Sequence, residues 1–258
     1  MPFQYNEGIR YFQFETLQPR HAIFTRHGGL SPEPWTSLNV GGTVGDESKR
    51  VRANRNLSLK ALDCPPDSVF DVWQVHGAEV IYANAPRPDS ESVRQADIIL
   101  TDNPNLTLYM RFADCVPIML HDPKRNVIGI AHAGWQGTLR DVAASAVCAM
   151  QKQYGCNPEN IIAGIGPSIG PDHYEIGSDV IVKVMEKFGD EAETLLHSRK
   201  GRIHFDLWKT NKLLLERAGV QQIEVSQICT ACHTEDWFSH RAEKGRTGRF
   251  GALISLRQ

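Results

Sequence analysis

The sequence predicts an α+β protein built from mixed sheets. Segments rich in β-branched or aromatic residues occur along the 258-residue chain, together with segments whose apolar residues have helical spacing. Two or three strand-like segments often follow one another without a helix between them, whereas a doubly wound parallel sheet requires strands and helices to alternate. A layered α+β fold is therefore favoured over a doubly wound one.

Six segments are predicted to be strands, because they are β-branched or aromatic and are bounded by turn-forming residues. In chain order these are residues 69–75, 97–100, 106–112, 126–131, 161–165 and 250–256.

Four further segments are predicted to be helices. The first begins at an Asp46 cap and ends at Leu62, before two prolines, while the third and fourth begin at Ser178 and Asp206 caps. The fourth ends at Gly219. The residues predicted to face inward are Leu139, Val142, Ala143, Ala146, Val147 and Met150 in the second helix, Ile181, Val184, Met185 and Phe188 in the third, and Leu207, Leu214, Leu215 and Ala218 in the fourth.

Composition excludes several classes of protein. The chain is 41% hydrophobic with a net charge of −2, which excludes a disordered, collagen-like or coiled-coil protein and gives no electrostatic reason to expect a nucleic-acid partner. Its length favours a single domain over residues 1–258, with no internal repeat. The amino terminus has no secretory pattern and no apolar segment is long enough to span a membrane, so a cytoplasmic protein without membrane association is expected.

Three residues of metal-binding type each follow an apolar, strand-like segment: His76, Cys115 and His132. Two imidazoles and a thiolate suit zinc and leave a fourth position open. The separations of 39 and 17 residues are long, which favours a catalytic over a structural site if the three converge. The spacing alone leaves open the alternative that all three are core residues.

The most regular motif is Cys229-Thr230-Ala231-Cys232-His233, which fits the c-type haem attachment pattern. The missing export signal argues against haem, and no second C-x-x-C is present to complete a zinc knuckle. A buried turn with reduced thiols is therefore predicted, not an essential metal site. The sequence contains no H-x-H pair, so it gives little support to multicopper oxidase chemistry, which uses clustered histidine ligands.

Two arginines are candidates for binding an anion. Arg26 and Arg241 lie in polar or glycine-rich segments, and a guanidinium fork suits phosphate or carboxylate. Both can equally be in ordinary surface ion pairs. Asp114 precedes Cys115, where it can orient a ligand or simply form a turn.

These segments together resemble the YfiH/YlmD-type laccase-domain family, which is also described as a purine nucleoside phosphorylase family. The combination of Gln74-Val75-His76-Gly77, Ala113-Asp114-Cys115-Val116-Pro117 and His132-Ala133-Gly134-Trp135 is highly specific. The other matching segments are Thr25-Arg26-His27-Gly28-Gly29, Ser37-Leu38-Asn39-Val40-Gly41, Val44-Gly45-Asp46, Asn54-Arg55, Ile165-Gly166-Pro167, Tyr174-Glu175 and Thr247-Gly248-Arg249.

The resemblance implies a four-layer α/β/β/α sandwich with mixed sheets, of the CNF/YfiH-like type. It implies one zinc, with copper less expected, held by the residues matching His76, Cys115 and His132. It also implies phosphate-dependent cleavage of adenosine, inosine and methylthioadenosine, with adenosine deamination as a side activity. The expected partners are a purine nucleoside and phosphate, without an obligate protein partner. Glu175 and Asp114 are candidates for protonating the departing purine.

Two departures from the family pattern concern cations. Many members have Arg where this chain has Gln136, and many have Tyr-Arg-Arg where this chain has His240-Arg241-Ala242. Phosphate affinity or substrate range is expected to differ if those arginines hold an anion.

Two other functions use the same residues. The first is a Cys-His amidase that edits peptidoglycan precursors, an activity also proposed for the family, with Cys115 as nucleophile and His132 or His76 as base. The second is a zinc-stabilised partner protein that catalyses nothing.

Overall fold

The computed structural model describes residues 3–88 and 91–256. Its strands are, in chain order, β1 (Phe3–Asn6), β2 (Ile9–Phe12), β3 (Arg20–Phe24), β4 (Val69–Asp71), β5 (Val80–Tyr82), β6 (Ile98–Thr101), β7 (Thr107–Phe112), β8 (Val116–Asp122), β9 (Val127–Ala133), β10 (Ile162–Ile165), β11 (Leu196–Arg199), β12 (Arg202–Phe205), β13 (Gln222–Val225) and β14 (Phe250–Ser255). The α-helices are α1 (Ser48–Lys60), α2 (Trp135–Leu139), α3 (Val142–Tyr154), α4 (Ser178–Phe188), α5 (Ala192–Leu195) and α6 (Leu207–Arg217).

Twelve of these strands form two six-stranded mixed sheets. The first sheet has the order β1-β2-β3-β14-β7-β4 and the second has the order β13-β10-β8-β9-β6-β5. In the first sheet only β4 runs parallel to its neighbour, and in the second β13 and β5 do so. The remaining two strands, β11 and β12, pair with each other as a small antiparallel ribbon.

The chain crosses from the first sheet to the second at two places that matter for function. The segment between β4 and β5 carries His76, and the segment between β7 and β8 carries Cys115. Because β4 and β7 are parallel neighbours, both crossings leave the first sheet at the same end. Two of the three predicted ligands are therefore brought to one end of the sheet pair.

Three apolar clusters define the layers. Between the two sheets lie residues such as Met110, Ile130 and Ile254. Helix α1 contributes Leu59 to a cluster on the outer face of the first sheet, whereas α3 and α6 cover the second sheet in a third cluster. The resulting order is helix, sheet, sheet, helix, so the expected four-layer mixed α/β architecture is confirmed.

Several predicted elements differ in detail. The first predicted strand ends at Asp71 rather than residue 75. Glu47 and Gly177, not Asp46 and Ser178, occupy the N-cap positions of α1 and α4. The Asp206 cap of α6 is confirmed, since its carboxylate accepts a hydrogen bond from the Lys209 amide at 2.9 Å.

One predicted helical face and the continuity of another predicted helix were also wrong. In α4 the buried residues are Val180, Val184 and Phe188, while Met185 is 56% exposed. The second predicted helix is interrupted, because Asp141 adopts a left-handed conformation (φ 61°) and separates α2, which holds Leu139, from α3. Within the described residues, no helix is long and apolar enough to cross a membrane.

Candidate metal centre and substrate cleft

The three ligand candidates predicted from the sequence converge. His76, Cys115 and His132 bring one ligand atom each into a group whose members lie within 4.8 Å of one another. His76 Nε2 lies 3.8 Å from Cys115 Sγ. His132 is buried near the end of β9, Cys115 is half-buried and His76 is exposed. The group therefore faces solvent on one side.

Strand register accounts for the close approach of Cys115 and His132. In the β8–β9 pair, Val116 lies opposite Ala133 and Pro117 opposite His132. Cys115 immediately precedes β8, so it lies at the same end of the β8–β9 ladder as His132, which is near the end of β9. The two ligands are fixed by seven consecutive residue pairs of one antiparallel ladder.

A buried aspartate orients two of the ligands. Asp97 accepts a hydrogen bond from His132 Nδ1 at 2.7 Å and also from the backbone amides of His76 at 3.0 Å and Gly77 at 2.7 Å. This leaves His132 Nε2 for the ligand group, the arrangement that carboxylates impose on metal-binding histidines. Sequence reasoning missed Asp97, which it treated only as the start of a strand.

Electrostatics favour a charged thiolate at this site. Burial by itself raises the pKa of the Cys115 thiol, but His132 and His76 outweigh it and lower that pKa to about 6. Burial lowers the pKa of His132, yet Cys115 and Asp97 raise it to about 9. Cys115 and His132 therefore each favour the charged form of the other.

Gly134 provides the space that the ligand group needs. A Cβ atom at this position would lie 2.7 Å from His76 Cδ2 and 3.1 Å from Cys115 Sγ. Any side chain here must displace a ligand, which is the physical reason for glycine after His132-Ala133.

The ligand group forms part of the wall of a cleft of about 650 Å³. Five arginines and two aspartates also line it, which gives the wall an excess of positive charge: Arg55, Arg87, Arg111, Arg241, Arg249, Asp71 and Asp114. Trp73 lines the same cleft and is 47% exposed. The cleft thus combines metal-ligand chemistry, fixed cations and an open aromatic face.

Three of these arginines surround one buried carboxylate. Arg87 lies 2.6 Å, Arg111 3.3 Å and Arg55 3.5 Å from Asp71. Burial and the neighbouring Arg55 lower the pKa of Arg111 to about 10, although Asp71 opposes them. One carboxylate cannot neutralise three guanidinium groups, so this part of the cleft remains cationic.

Of the two predicted anion-binding arginines, only Arg241 lies at the cleft. Its guanidinium is 5.1 Å from the Tyr174 ring centroid and donates to the Glu175 carbonyl at 2.7 Å. Asp114 also lines the cleft, and its carboxylate accepts from the Arg241 amide at 2.6 Å and from the Thr230 hydroxyl at 2.7 Å. Asp114 thereby positions the segment that carries Arg241.

The structure places Arg26 and Glu175 elsewhere. Among the described residues Arg26 is not part of the cleft wall, and its guanidinium donates to the carbonyls of Thr36 and Thr234 and pairs with Glu243. The Glu175 carboxylate is exposed and pairs with Arg202 at 2.8 Å, which lowers its pKa. Both side chains face partners other than the described wall of the cleft.

The positions where this chain departs from the family pattern both lie near the ligand group. Gln136 lines a smaller cavity of about 330 Å³ that shares His76 and Cys115 with the main cleft, and His240 lines the main cleft itself. Sequence reasoning assigned no role to Arg55 and Arg249, although both belong to segments that carry the resemblance.

A second group of metal-binding side chains lies in the same structure. Asp172, His173, Cys229 and Cys232 place their ligand atoms within 4.8 Å of one another. The prediction of a buried turn at Cys229–His233 was wrong in part, since Cys229 is buried but Cys232 is exposed. His233 does not join the group and bonds Glu235 instead, at 3.0 Å.

The model of the multi-copper polyphenol oxidoreductase laccase family matches residues 20–257. The chain belongs to this family. It is 36% identical over 249 residues to a protein of Deinococcus radiodurans named purine nucleoside phosphorylase, covering 96% of this chain and 94% of that protein. The resemblance inferred from the sequence is thereby confirmed.

Solved structures of relatives share the fold. The structure of the hypothetical protein YfiH from Bacillus licheniformis superposes with a TM-score of 0.91 at 34% identity, covering 99% of each chain. That of YlmD from Geobacillus stearothermophilus superposes with a TM-score of 0.92 at 32% identity, covering 100% of this chain and 99% of that one. The names of the family and of its members point to different chemistries, copper-dependent oxidation and nucleoside phosphorolysis.

Proposed function

We propose that this chain is a zinc-dependent purine nucleoside phosphorylase. It would act on adenosine, inosine and methylthioadenosine, with adenosine deaminase as a side activity. The observation that carries the proposal is the cleft, which joins the three-ligand group to a wall with five arginines. Phosphorolysis requires fixed cations beside the glycosidic bond, because phosphate must be held where that bond breaks, and the ligand group lies on the same cleft wall as the arginines.

His76, Cys115 and His132 would hold the zinc, and the donor set supports this. Two imidazoles and a thiol of low pKa form a donor set that suits zinc and leaves one coordination position open. Asp97 orients His132. Gly134 leaves room for the three ligand side chains. Zinc supplies Lewis-acid polarisation of a substrate oxygen when bound. We propose zinc rather than copper because neither phosphorolysis nor deamination changes an oxidation state.

Arg241 and Arg249 are the arginines proposed to hold phosphate. Burial lowers the pKa of the Arg249 guanidinium, and the nearby Cys115 and Asp114 oppose that shift. The backbone amide of Arg241 itself donates to the Asp114 carboxylate. The further excess charge around Asp71 draws anions into the cleft. Charge-assisted contacts from guanidinium forks suit a phosphate that must be oriented as well as bound.

The purine would stack on Trp73, whose exposed indole lines the cleft. Aromatic side chains are favourable surfaces for the π-face of a base. The phenol of Tyr174 also lines the cleft, and burial raises its pKa. Tyr174 therefore stays protonated at neutral pH and can donate a hydrogen bond to bound substrate.

Turnover of adenosine with and without phosphate tests this proposal on protein of known metal content. We expect adenine and ribose-1-phosphate only when phosphate is present, and slower release of ammonia that does not require phosphate. Protein in which His76, Cys115 and His132 are all changed to alanine should lose zinc from this site together with both activities. Zinc retained at this site by the triple variant would contradict the ligand assignment, and adenine release without phosphate would contradict phosphorolysis.

A Cys-His amidase acting on peptidoglycan precursors is the second candidate. It is favoured by one observation, the alignment of Cys115, His132 and Asp97 with a thiol pKa of about 6. Such an enzyme needs a thiolate and neither phosphate nor zinc. Amide hydrolysis by metal-free protein, abolished in Cys115→Ser, would support this function over phosphorolysis. Absence of any turnover would instead favour a non-catalytic partner protein.

A further inference from the structure

We propose that Asp172, His173, Cys229 and Cys232 form a second, structural zinc site. The four side chains come from two loops, one after β10 and one after β13. Two sulfurs, one imidazole nitrogen and one carboxylate oxygen form a complete tetrahedral donor set of the type that zinc prefers. A filled set of four protein ligands is the pattern of structural rather than catalytic zinc.

The spacing of the donor atoms fits one shared ion. Cys232 Sγ lies 3.1 Å from Asp172 Oδ2 and 3.4 Å from His173 Nδ1. Cys229 Sγ lies 3.7 Å from the same His173 nitrogen, which lies 3.1 Å from Asp172 Oδ2. Tetrahedral zinc with ordinary bond lengths places its ligand atoms about 3.3–3.8 Å apart. Small shifts of these side chains therefore complete the coordination shell.

The backbone around the group also fits a bound thiolate. The Gly170 amide donates a hydrogen bond to Cys229 Sγ at 3.2 Å, an interaction that supports a charged sulfur ligand. A Cβ atom at Gly170 would lie 2.7 Å from Asp172 Oδ1 and 3.1 Å from Cys229 Cβ. Gly170 therefore lets the two loops approach closely enough for their ligands to meet.

The site would hold together two loops that build the substrate cleft. Ser168 and Cys229 pair as an isolated parallel bridge, and the Thr230 amide donates to the Ser168 carbonyl at 3.0 Å. Tyr174 follows His173 and lines the cleft, while Thr230 follows Cys229 and bonds Asp114. An ion at this site would fix both neighbours at once. It would therefore stabilise the wall that carries Arg241.

Two other interpretations of the cysteines are less favourable. Haem attachment through Cys229 and Cys232 would use His233, which bonds Glu235 rather than joining the group. A Cys229–Cys232 disulfide would leave His173 and Asp172 without a reason to converge on the sulfurs. Exposure of Cys232 and His173 gives an ion a path into the site from solvent.

Metal content after controlled reloading tests the proposal. Protein is stripped with a chelator, reloaded with zinc, desalted and analysed for metal. We expect about two zinc ions per chain for the unchanged protein and about one for Cys229→Ser, Cys232→Ser. Cys148→Ser is the matched control, since this half-buried cysteine lies on α3 outside the group, and His233→Asn tests the remaining member of the motif. Both controls should keep two ions.

The same measurement separates this site from the proposed catalytic site. The His76→Ala, Cys115→Ala, His132→Ala variant should keep the ion bound by Asp172, His173, Cys229 and Cys232. Equal zinc content in the unchanged protein and in Cys229→Ser, Cys232→Ser would overturn the second site while leaving the proposed function intact. Loss of the only bound zinc in Cys229→Ser, Cys232→Ser would support the second site and refute zinc at the first.

Thiol alkylation of the unchanged protein provides a test that does not depend on variants folding. Cys232 is exposed, but burial, Asp172 and Cys229 raise the pKa of its thiol to about 12, so its reaction with iodoacetamide is followed at alkaline pH in zinc-loaded and stripped protein side by side. We expect Cys232 to be protected in zinc-loaded protein and alkylated after chelator treatment, whereas the buried Cys229 is shielded in both. Equal rates of Cys232 alkylation in zinc-loaded and stripped protein would refute the site. So would an intact mass lower by two hydrogens, which marks a disulfide.

Discussion

Individual residues set the geometry of the ligand group through space and hydrogen bonding. Gly134 is needed because the side chains of the ligands occupy the volume that a Cβ atom at this position would fill. Asp97 touches no substrate position but holds His132 and the backbone beside His76.

Gly134→Ala should weaken zinc retention at the first site. The added methyl would meet His76 Cδ2 at 2.7 Å and Cys115 Sγ at 3.1 Å, so one ligand must move. We expect a loss of zinc affinity of at least about tenfold, measured by competition with a chromogenic chelator. Gly42→Ala is a control, since a Cβ there meets nothing within 4 Å. Unchanged affinity in Gly134→Ala would show that the ligands sit elsewhere.

Asp97→Asn should reduce zinc affinity by about 10- to 100-fold, as changes in residues that orient metal ligands commonly do. The variant keeps the size of the side chain but replaces a carboxylate oxygen bonded by His132 Nδ1. Chelator competition measures the effect, and circular dichroism shows whether the fold persists. Equal affinity in a folded variant would mean that Asp97 is purely structural.

Arg241→Ala and Arg26→Ala should have different effects. Removing one charge-assisted phosphate contact costs about 2–4 kcal/mol at the transition state, or roughly 30- to 1,000-fold in phosphate-dependent cleavage. Arg241→Ala should show this loss with little effect on deamination. Arg26→Ala should instead lower stability by about 2–3 kcal/mol, because it leaves the Glu243 carboxylate without its cation.

Both activities and the free energy of unfolding are measured for the two variants side by side. If Arg26→Ala selectively impaired phosphorolysis, the original expectation for this residue would be restored. If Arg241→Ala reduced both activities equally, Arg241 would act on substrate or folding in general rather than on phosphate.

Secondary-structure elements determine which residues are buried together. Strand β8 is buried along all seven residues and lies between β10 and β9. It therefore buries His121, which is 5% exposed and whose Nδ1 has no hydrogen-bond partner among the described residues. Burial lowers the pKa of His121 to about 4, although Asp122 opposes it.

His121 should make stability depend on pH in the acid range. Its folded pKa of about 4 lies below the unfolded value of about 6.5, so the unfolded chain takes up the proton first. The contribution of His121 to the free energy of unfolding is fully present above pH 6.5. About 3 kcal/mol of that free energy is lost as the pH falls from 6.5 to 4. Denaturant melts of the unchanged protein and His121→Gln at several pH values measure it. Parallel pH profiles for the two proteins would contradict the prediction.

At the scale of the whole molecule, the first ligand group exists only in the folded chain. Its members are 39 and 17 residues apart and come from a crossing between sheets, a second crossing and the end of β9. A metal that binds this group therefore binds the native state and not the unfolded one, so its binding free energy adds to stability.

Zinc should accordingly raise the melting temperature. At a free zinc concentration of about 100 times Kd the gain is about 2.7 kcal/mol, which corresponds to roughly 5–10 °C for a chain of this size. Calorimetry of stripped and reloaded protein measures the shift. The His76→Ala, Cys115→Ala, His132→Ala variant should show a smaller shift, and an identical shift would place all of the stabilising metal elsewhere.

The sequence alone determined the class of the fold, all six predicted strand positions to within a few residues, and the cap of α6. These features are local, because alternation, helical spacing and capping depend on residues close together in the chain. It also determined the family, from three motifs that each surround one ligand candidate. The single-domain organisation and the binding of zinc remain predictions. Eight of the fourteen strands in the described structure were not predicted. One of them, β8, lies at the centre of the second sheet and contains Pro117 and His121, which disguise its apolar pattern.

The tertiary structure alone decided which polar residues face each other. Cys229 and Cys232 meet Asp172 and His173 across more than fifty residues of chain, and Arg26 is turned toward Glu243 rather than toward the cleft. Arg55 and Arg87 converge on Asp71 in the same way. Such contacts depend on sheet register and on where the chain crosses between sheets. Both are set by packing of the two sheets and their helices, so no local pattern of residues reports them.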